Sequence, residues 1–527
     1  MDNQNQTPVV AIPIETPAPE NPPQQATQPT PQQAPPETAP PAPEPKKRRL
    51  WPRLILLFSL LAVLGFFFYC MFRLNVLPPL YLGALGGGLL LLFLLTALLV
   101  LARKSKFCVG LGILLCLILA GGSLFATRYA VKTITTLESI TEKDQDQLLE
   151  MGVYVLPEDP AASIQDLKGA VFGTLSSFQK PEAYRTLQDI ALSHQTNAVT
   201  MSFDSPLSLV EGLREGYVRA IVMNSHIMKA LQVHSPALRR YPLRLLSLYK
   251  EAKEPPAEAF RHPDPAKPFL VYISGIDSRE GRVEQSLSDV NILAAVNPAA
   301  RQVLLVSTPR DYFVNTVVSG DAKDKLTHTG FYGKEVSRGT LALLYGFEIP
   351  YDFRLDFDGF KAIVDALGGV DAYSHFTFQV EDYTFKEGIN HLTGYQALLF
   401  ARARYGLPGG DRARGVHQME VIKGIAKKLT PATLVKNYFP IMDALEDSFE
   451  TSLPYSLITG LVQTLVQGQL QGGSWEILSY SVSGSDHMTV PFSLSSEAYV
   501  MIPDEDNLAT ARQLLADVLA GKKVAIP

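Results

Sequence analysis

Arg402, Arg404, Arg412 and Arg414 flank one glycine turn in the stretch Ala401 to Gln418, ARARYGLPGGDRARGVHQ, and of all the residues in the chain they are the best suited to chemistry. A spacing of two places Arg402 and Arg404 on the same side of an extended segment. If a helix starts at Asp411, Arg414 and Gln418 lie one helical turn apart. Several guanidinium forks can then converge on one anion. Arginine is permanently charged and donates in a planar, bidentate geometry that matches phosphate oxygens. A helix N-terminus adds its own N–H groups and dipole to such a site. A diphosphate is the natural guest, whereas the bland reading is a solvated basic loop worth little energetically.

Carboxylates supply the other half of a phosphate site. Asp277 closes the run FLVYISGID and Asp289 opens the next after SLSD, so both can sit at one sheet edge. That arrangement suits Mg²⁺, which takes a few protein oxygens together with phosphate oxygens and water. Each Asp taken alone also fits a turn or a helix cap. Arg310 and Asp311 end the third such run in STPRDYF, and Lys325, His328 and Tyr332 follow in DKLTHTGFYG. His328 reads as a hydrogen-bonding loop residue. The chain carries no P-loop signature, no HExxH and no GxSxG elbow.

The elements that must position these groups alternate. FLVYISGID, VNILAAV and QVLLVST are short apolar runs bounded by polar residues or glycine, as buried strands are, and YDFRLDF alternates as a further strand. Helical spacing covers Thr340–Tyr345, Phe360–Leu367, Thr393–Phe400, Arg414–Leu429 and Ala432–Leu445. In the fourth of these, Val416, Met419, Ile422, Ala426 and Leu429 form one apolar stripe with the basic end at its start. The expected fold class is α/β, an α-β-α sandwich over residues 269–527. Upstream, GVYVL, AVFGT, AVTMSF and VRAIVMN alternate with helical segments such as Pro181–His194 and Ser205–Glu215, which predicts a smaller α/β domain over 129–250, patterned like one lobe of a solute-binding protein. It shows no catalytic cluster and reads as a spacer or docking domain. Residues 251–268 are polar and rich in proline, as a linker is.

Three apolar runs, Leu54–Phe72, Leu80–Leu101 and Phe107–Ala126, each approach the ~20 residues that span a bilayer core and contain no charged residue inside. They place three transmembrane helices within 51–128. The first follows a long tail and precedes two more spans, so it is no cleavable signal. Lys46, Lys47, Arg48 and Arg49 precede the first span, and Arg103, Lys104 and Lys106 separate the second from the third. By the positive-inside rule the N-terminus is then cytoplasmic and everything after the third span is extracellular. Residues 1–50, rich in Pro, Gln, Thr and Ala, cannot bury enough surface to offset ordering entropy and read as a disordered cytoplasmic spacer. Cys70, Cys108 and Cys116 all fall in or beside the spans, which leaves no disulfide framework and no thiol nucleophile in the exported part. A formal net charge of -5 argues against a general polyanion binder, and nucleic acid is the wrong ligand for an exported domain. A phosphate ligand at the outer membrane surface points to lipid-linked diphosphates.

Taken together, GID, SD, TPRD, DKLTHTG, YDFRLDF, ALGGVD, RARYGLPGGDRARG and the HQ that follows resemble the LytR-CpsA-Psr (LCP) family, and the three spans with an accessory domain resemble its streptococcal capsule-type members. The resemblance runs from the first span almost to the end. It implies an α-β-α fold, a deep apolar groove for a polyprenyl chain, and transfer of a glycopolymer, capsular or teichoic acid-like, from a polyprenyl diphosphate carrier to peptidoglycan. Carried over residue by residue, it implicates Asp277 and Asp289 in Mg²⁺ and diphosphate binding, and Arg310, Arg402, Arg404 and Arg414 in gripping the phosphates. Gln418 matches a polar residue facing that cluster, and Lys325 and Asp411 match positions near it. Arg412 belongs to the same basic block as a further substrate-binding candidate. The family commonly has Arg-Ser-Asp where this chain has Leu287-Ser288-Asp289, so one guanidinium is missing, which Arg279 or Arg282 could replace.

The reaction implied is attack of a peptidoglycan sugar hydroxyl on the sugar-proximal phosphorus, with polyprenyl phosphate leaving. Asp411 either accepts the hydroxyl proton or holds Arg412 or Arg404. The spans keep the groove mouth at the bilayer surface. One alternative is a non-catalytic protein that binds the lipid-linked polymer and regulates capsule or cell-wall assembly through partners. A transcription regulator is excluded by topology, since no folded cytoplasmic domain remains to read DNA.

Overall fold

The computed structural model describes residues 50–527 apart from 103–104, 146–147, 177–178, 195–198, 253–262, 277–286, 405, 431–432, 434–435 and 471–473. Three helices come first: α1 (Trp51–Leu74), α2 (Pro79–Leu101) and α3 (Lys106–Gln145). All three are long and apolar enough to cross a membrane. The third differs from expectation in length. Its 40 residues carry it well past Ala126, because YAVKTITTLESI keeps helical spacing while its surface becomes polar. The boundary expected at residue 129 therefore falls inside a helix.

The accessory domain is a five-stranded sheet made of β1 (Leu148–Val155), β2 (Val171–Leu175), β3 (Val199–Phe203), β4 (Ala220–Asn224) and β5 (Arg244–Ala252), in the order β3-β2-β4-β1-β5. Strands β2, β3 and β4 run parallel, and β1 is antiparallel to both of its neighbours. The helices between them are α4 (Lys180–His194), α5 (Pro206–Arg214), α6 (Ser225–His234) and the single turn α7 (Pro236–Arg239). Strand β5, with sequence RLLSLYKEA, escaped the sequence reading and extends the domain to Ala252, two residues past the expected end.

The larger domain is built on a mixed sheet. Strands β6 (Phe269–Ile276), β7 (Val290–Asn297) and β8 (Gln302–Ser307) form an antiparallel centre. A small ladder of β9 (Phe313–Asn315) and β10 (Lys323–Lys325) follows, then helix α8 (Lys334–Tyr345). Strand β11 (Tyr351–Asp356) joins β6 in parallel and leads into α9 (Phe357–Ala366). Two further ladders pair β12 (Val370–Ser374) with β15 (Gly388–Leu392) and β13 (Phe378–Val380) with β14 (Tyr383–Phe385). Helices α10 (Gly394–Arg402), α11 (Gly410–Lys428) and α12 (Tyr438–Ser448) come next. Strand β16 (Phe449–Thr451), helix α13 (Tyr455–Leu470), strand β17 (Glu476–Ser481), the pair β18 (Gly484–Thr489) and β19 (Ala498–Pro503), and helix α14 (Glu505–Leu519) complete it. The main sheet runs β16-β11-β6-β7-β8-β17.

Strand alternation divides the core as a sandwich requires. Leu270 and Tyr272 face α8 and α14, packing with Leu341, Tyr345, Leu508 and Leu515. Phe269 and Val271 face the other way, toward Met419 of α11 and Leu457 of α13. The α-β-α architecture read from the sequence is thus present. Its C-terminal part, β17 to α14, was not anticipated. The helix expected over Ala432–Leu445 is described from Tyr438 as α12, and Ala432 lies outside the described residues.

The two domains share a core. Val318, Tyr332 and Val336 of the larger domain pack with Leu209, Ile227 and Leu231 of the accessory helices. Phe331 is stacked between His234 of α6, 3.9 Å between ring centroids, and His328, at 5.6 Å.

Candidate functional site

The GLPGG turn positions the site because its glycines adopt left-handed backbone angles that other residues take up only rarely. Gly406, Gly409 and Gly410 have φ values of 76°, 83° and 49°. The chain leaves α10 at Arg402, reverses through this turn, and starts α11 at Gly410, one residue before the expected Asp411. Gly415 sets how close α11 comes to the sheet: a Cβ there would lie 2.2 Å from Ser307 Oγ of β8.

Loops at the ends of the central strands meet this helix start. Thr327 N–H donates to the Arg310 carbonyl at 2.8 Å, and Ser288 N–H donates to the Thr327 carbonyl at 3.1 Å. These bonds lace the TPRD, LTH and SLSD segments together. Behind Asp289, the Tyr272 hydroxyl lies 2.8 Å from Ser288 Oγ and 3.0 Å from Asn291 Oδ1, fixing that loop from within the core.

A cavity of about 490 Å³ opens beside them. Its mouth is lined by Asp289, Arg310, Arg402, Arg404, Arg414 and Gln418. Its depth is apolar, with Phe357, Phe360, Ile422, Ile441, Leu445 and Phe449 among the lining residues. Arg310 Nη1 pairs with Asp289 Oδ1. The Arg402 guanidinium lies 4.7 Å above the Phe357 ring. Gln418 Nε2 donates to the Ala401 carbonyl at 3.3 Å, tying α11 to the end of α10.

A second layer holds the first. Arg310 N–H donates to Asp411 Oδ2 at 2.7 Å, and the other carboxylate oxygen pairs with Arg414 Nη2. Burial pushes the Asp411 carboxyl above the usual range, opposed by the Arg414 charge beside it. Asp411 is not among the cavity-lining residues, and its oxygens are engaged. Asp311, 4% exposed, is the hub that the sequence reading left without a role. Lys325 Nζ reaches its Oδ1 at 3.3 Å, Arg310 Nε is 3.8 Å from the same atom, and Arg404 Nη1 is 3.8 Å from Oδ2. Its place beside Arg310 in TPRD was the available signal.

The structure therefore gathers Asp289, Arg310, Arg402, Arg404, Arg414 and Gln418 at the mouth, with Asp411 and Lys325 one layer behind. Arg412 is exposed and is not among the lining residues, since it points off the far side of the helix turn. Asp277, Arg279 and Arg282 lie outside the described residues. Leu287 borders a small neighbouring hollow with Lys334 and Arg354. Among the described residues, five cations (Arg310, Arg402, Arg404, Arg414, Lys325) face four carboxylates (Asp289, Asp311, Asp356, Asp411), an excess of one positive charge. No three His, Cys, Asp or Glu side chains gather there around a common point. Mg²⁺ needs only one or two carboxylates when phosphate completes its shell, and Asp289 is a carboxylate on the cavity lining.

Fold and cavity together define an α/β protein with three helices long and apolar enough to cross a membrane and with a mostly apolar pocket that four arginines also line. The chain belongs to the LytR_cpsA_psr family, whose profile matches residues 246–512. A polyisoprenyl-teichoic acid–peptidoglycan teichoic acid transferase, TagU, of Enterococcus faecalis is 38% identical over 185 residues, 34% of this chain and 60% of that protein's length. TagU of Bacillus mycoides is 30% identical over 233 residues, 44% of this chain and 72% of the relative. The crystal structure of B. subtilis TagV is similar over 49% of this chain and 99% of that chain, with 26% identity and a TM-score of 0.41.

Proposed function

We propose that the chain transfers a glycopolymer from a polyprenyl diphosphate carrier to peptidoglycan at the outer face of the membrane. The observation that carries this reading is the cavity: a mostly apolar lining that four guanidinium groups join. A prenyl chain fits the first part and a diphosphate the second. The TagU relatives bear the matching activity in their name, and the excess of positive charge suits a diphosphate.

In the reaction, a sugar hydroxyl of peptidoglycan attacks the sugar-proximal phosphorus. The phosphorus–oxygen bond to polyprenyl phosphate breaks, and a phosphodiester joins polymer to acceptor. Such transfers need positioning and charge neutralisation more than covalent help. Arg402 and Arg404, on one wall, and Arg310 and Arg414, on the other, take the charge that develops on the equatorial and leaving oxygens. Lys325 and Asp311 hold Arg310 and Arg404 at the set distances. Asp411 fixes Arg414 and the Arg310 backbone, which favours a positioning role over proton acceptance. Asp289, with Asp277, would hold Mg²⁺, which supplies Lewis-acid neutralisation of a phosphoryl oxygen when bound.

The test uses the full chain in phospholipid vesicles with a polyprenyl diphosphate sugar and peptidoglycan fragments, following polyprenyl phosphate with and without Mg²⁺. Metal-dependent release with a phosphodiester-linked product is the expected result. Lipid binding without release under any acceptor favours a regulator of capsule or cell-wall assembly, and that outcome would point to Leu287, where the family guanidinium is missing.

A further inference from the structure

A bilayer core needs roughly 20 helical residues, and α3 has 40. Its outer half does more than reach away from the membrane. The Tyr129 ring lies 4.7 Å from Tyr438 and 4.8 Å from Phe439, and the Arg128 guanidinium is 4.6 Å from the Phe439 ring. Aromatic and arginine side chains in this position are those favoured at a membrane–water interface. One turn further, Lys132 Nζ pairs with Asp443 Oδ1 at 2.7 Å and with Glu446 Oε2 at 2.6 Å. Beyond that, Leu137 and Ile140 of α3 enter the same apolar cluster as Ile363, Ile441 and Phe449, three residues that line the cavity.

Helix α12 thus has two working faces. Asp443 and Glu446 turn to α3, while Ile441 and Leu445 turn into the cavity. The larger domain is also tied to the turn between α1 and α2, where the Tyr455 hydroxyl donates to the Leu74 carbonyl at 3.2 Å and Gln463 Nε2 donates to the Asn75 carbonyl at 2.6 Å.

We propose that the outer half of α3 supports the lipid cavity from behind: by bracing α12, whose Ile441 and Leu445 line the cavity, it sets the apolar end and seats it at the bilayer interface, so that a prenyl chain passes between membrane and cavity alongside α3. This rests on the reading of the site as one for a prenyl diphosphate. Lys132 is a positioning residue in it, touching no substrate.

The experiment places the full chain in phospholipid nanodiscs and measures binding of two probes, a long-chain polyprenyl phosphate and a water-soluble short-chain prenyl diphosphate. Lys132→Glu sets a carboxylate against Asp443 and Glu446. It is expected to weaken the long-chain probe at least tenfold and the short-chain probe less than twofold. Combining Lys132→Glu with Asp443→Lys and Glu446→Lys restores the pairs with reversed polarity and is expected to recover long-chain binding to within threefold. Wild-type long-chain binding in Lys132→Glu, equal loss of both probes, or no recovery in the reversed-polarity variant each overturns the proposal. A wild-type chain that holds neither probe overturns the lipid reading of the cavity, and this inference with it.

Discussion

Arg310 and Asp411 stand 101 positions apart in sequence, yet the backbone N–H of the first donates to the carboxylate of the second at 2.7 Å. That bond joins the loop after β8 to the start of α11, the two segments that carry Arg310 and Arg414 to the cavity. Asp411 also neutralises the buried Arg414.

Removing Asp411 therefore leaves one buried donor and one buried cation without their partner. Asp411→Ala is expected to lower unfolding free energy by about 3 kcal/mol, the cost of breaking a buried pair from one side. Asp411→Asn, which keeps an acceptor for the Arg310 N–H, should lose less. Urea denaturation of the purified chain checks both, and equal stability of the alanine variant and the wild type would refute the pairing.

Arg402→Ala combined with Arg404→Ala removes two charge-assisted contacts to the diphosphate. Each is worth about 1.5 kcal/mol or more, so affinity for a polyprenyl diphosphate should fall about 100-fold or further. Turnover should drop at least as much. The measurement is lipid binding alongside polyprenyl phosphate release, and unchanged polymer attachment in cells would sink the assignment of the site.

The apolar end can be blocked without touching the mouth. Leu445→Trp enlarges a side chain that lines the cavity. Long-chain substrates should lose affinity about tenfold or more, while a short prenyl diphosphate binds as before. A parallel loss of both would mean that the chain does not lie along α12.

His417 supplies a pH prediction. It is 1% exposed and stacks between Phe378, 5.0 Å away, and Phe400, 4.3 Å away. Burial, with the His375 charge adding to it, pulls its pKa down to about 4. The unfolded chain takes this proton near pH 6.5 and the folded chain resists it, so the stability is fully present above pH 6.5 and is lost as pH falls toward 4. The loss is ~3 kcal/mol over that window. His417→Phe should flatten this part of the stability profile, and an unchanged slope would place the titration elsewhere.

What could be read from the sequence was local. The GLPGG turn announced itself because glycines with positive φ have few substitutes, and the helix read over Arg414–Leu429 is present, starting four residues earlier at Gly410. Strands β6, β7, β8 and β11 were readable because their apolar runs are short and bounded. Strand β5 was missed because RLLSLYKEA alternates only weakly and ends in charge. The hub role of Asp311 was missed for a different reason, since its place beside Arg310 was the one local signal. It is created by Lys325 and Arg404, which reach Asp311 from β10 and from the far end of α10. Likewise, no periodicity in YAVKTITTLESI states that its polar face meets Asp443 and Glu446, over three hundred positions away.

Phe331, held between His234 and His328, belongs to the short turn of chain that follows Lys325. The accessory domain thus clamps the segment from which that lysine reaches Asp311. Heating should melt the two domains in a single cooperative transition, and cutting the chain between them would release a larger domain whose lysine had lost its footing.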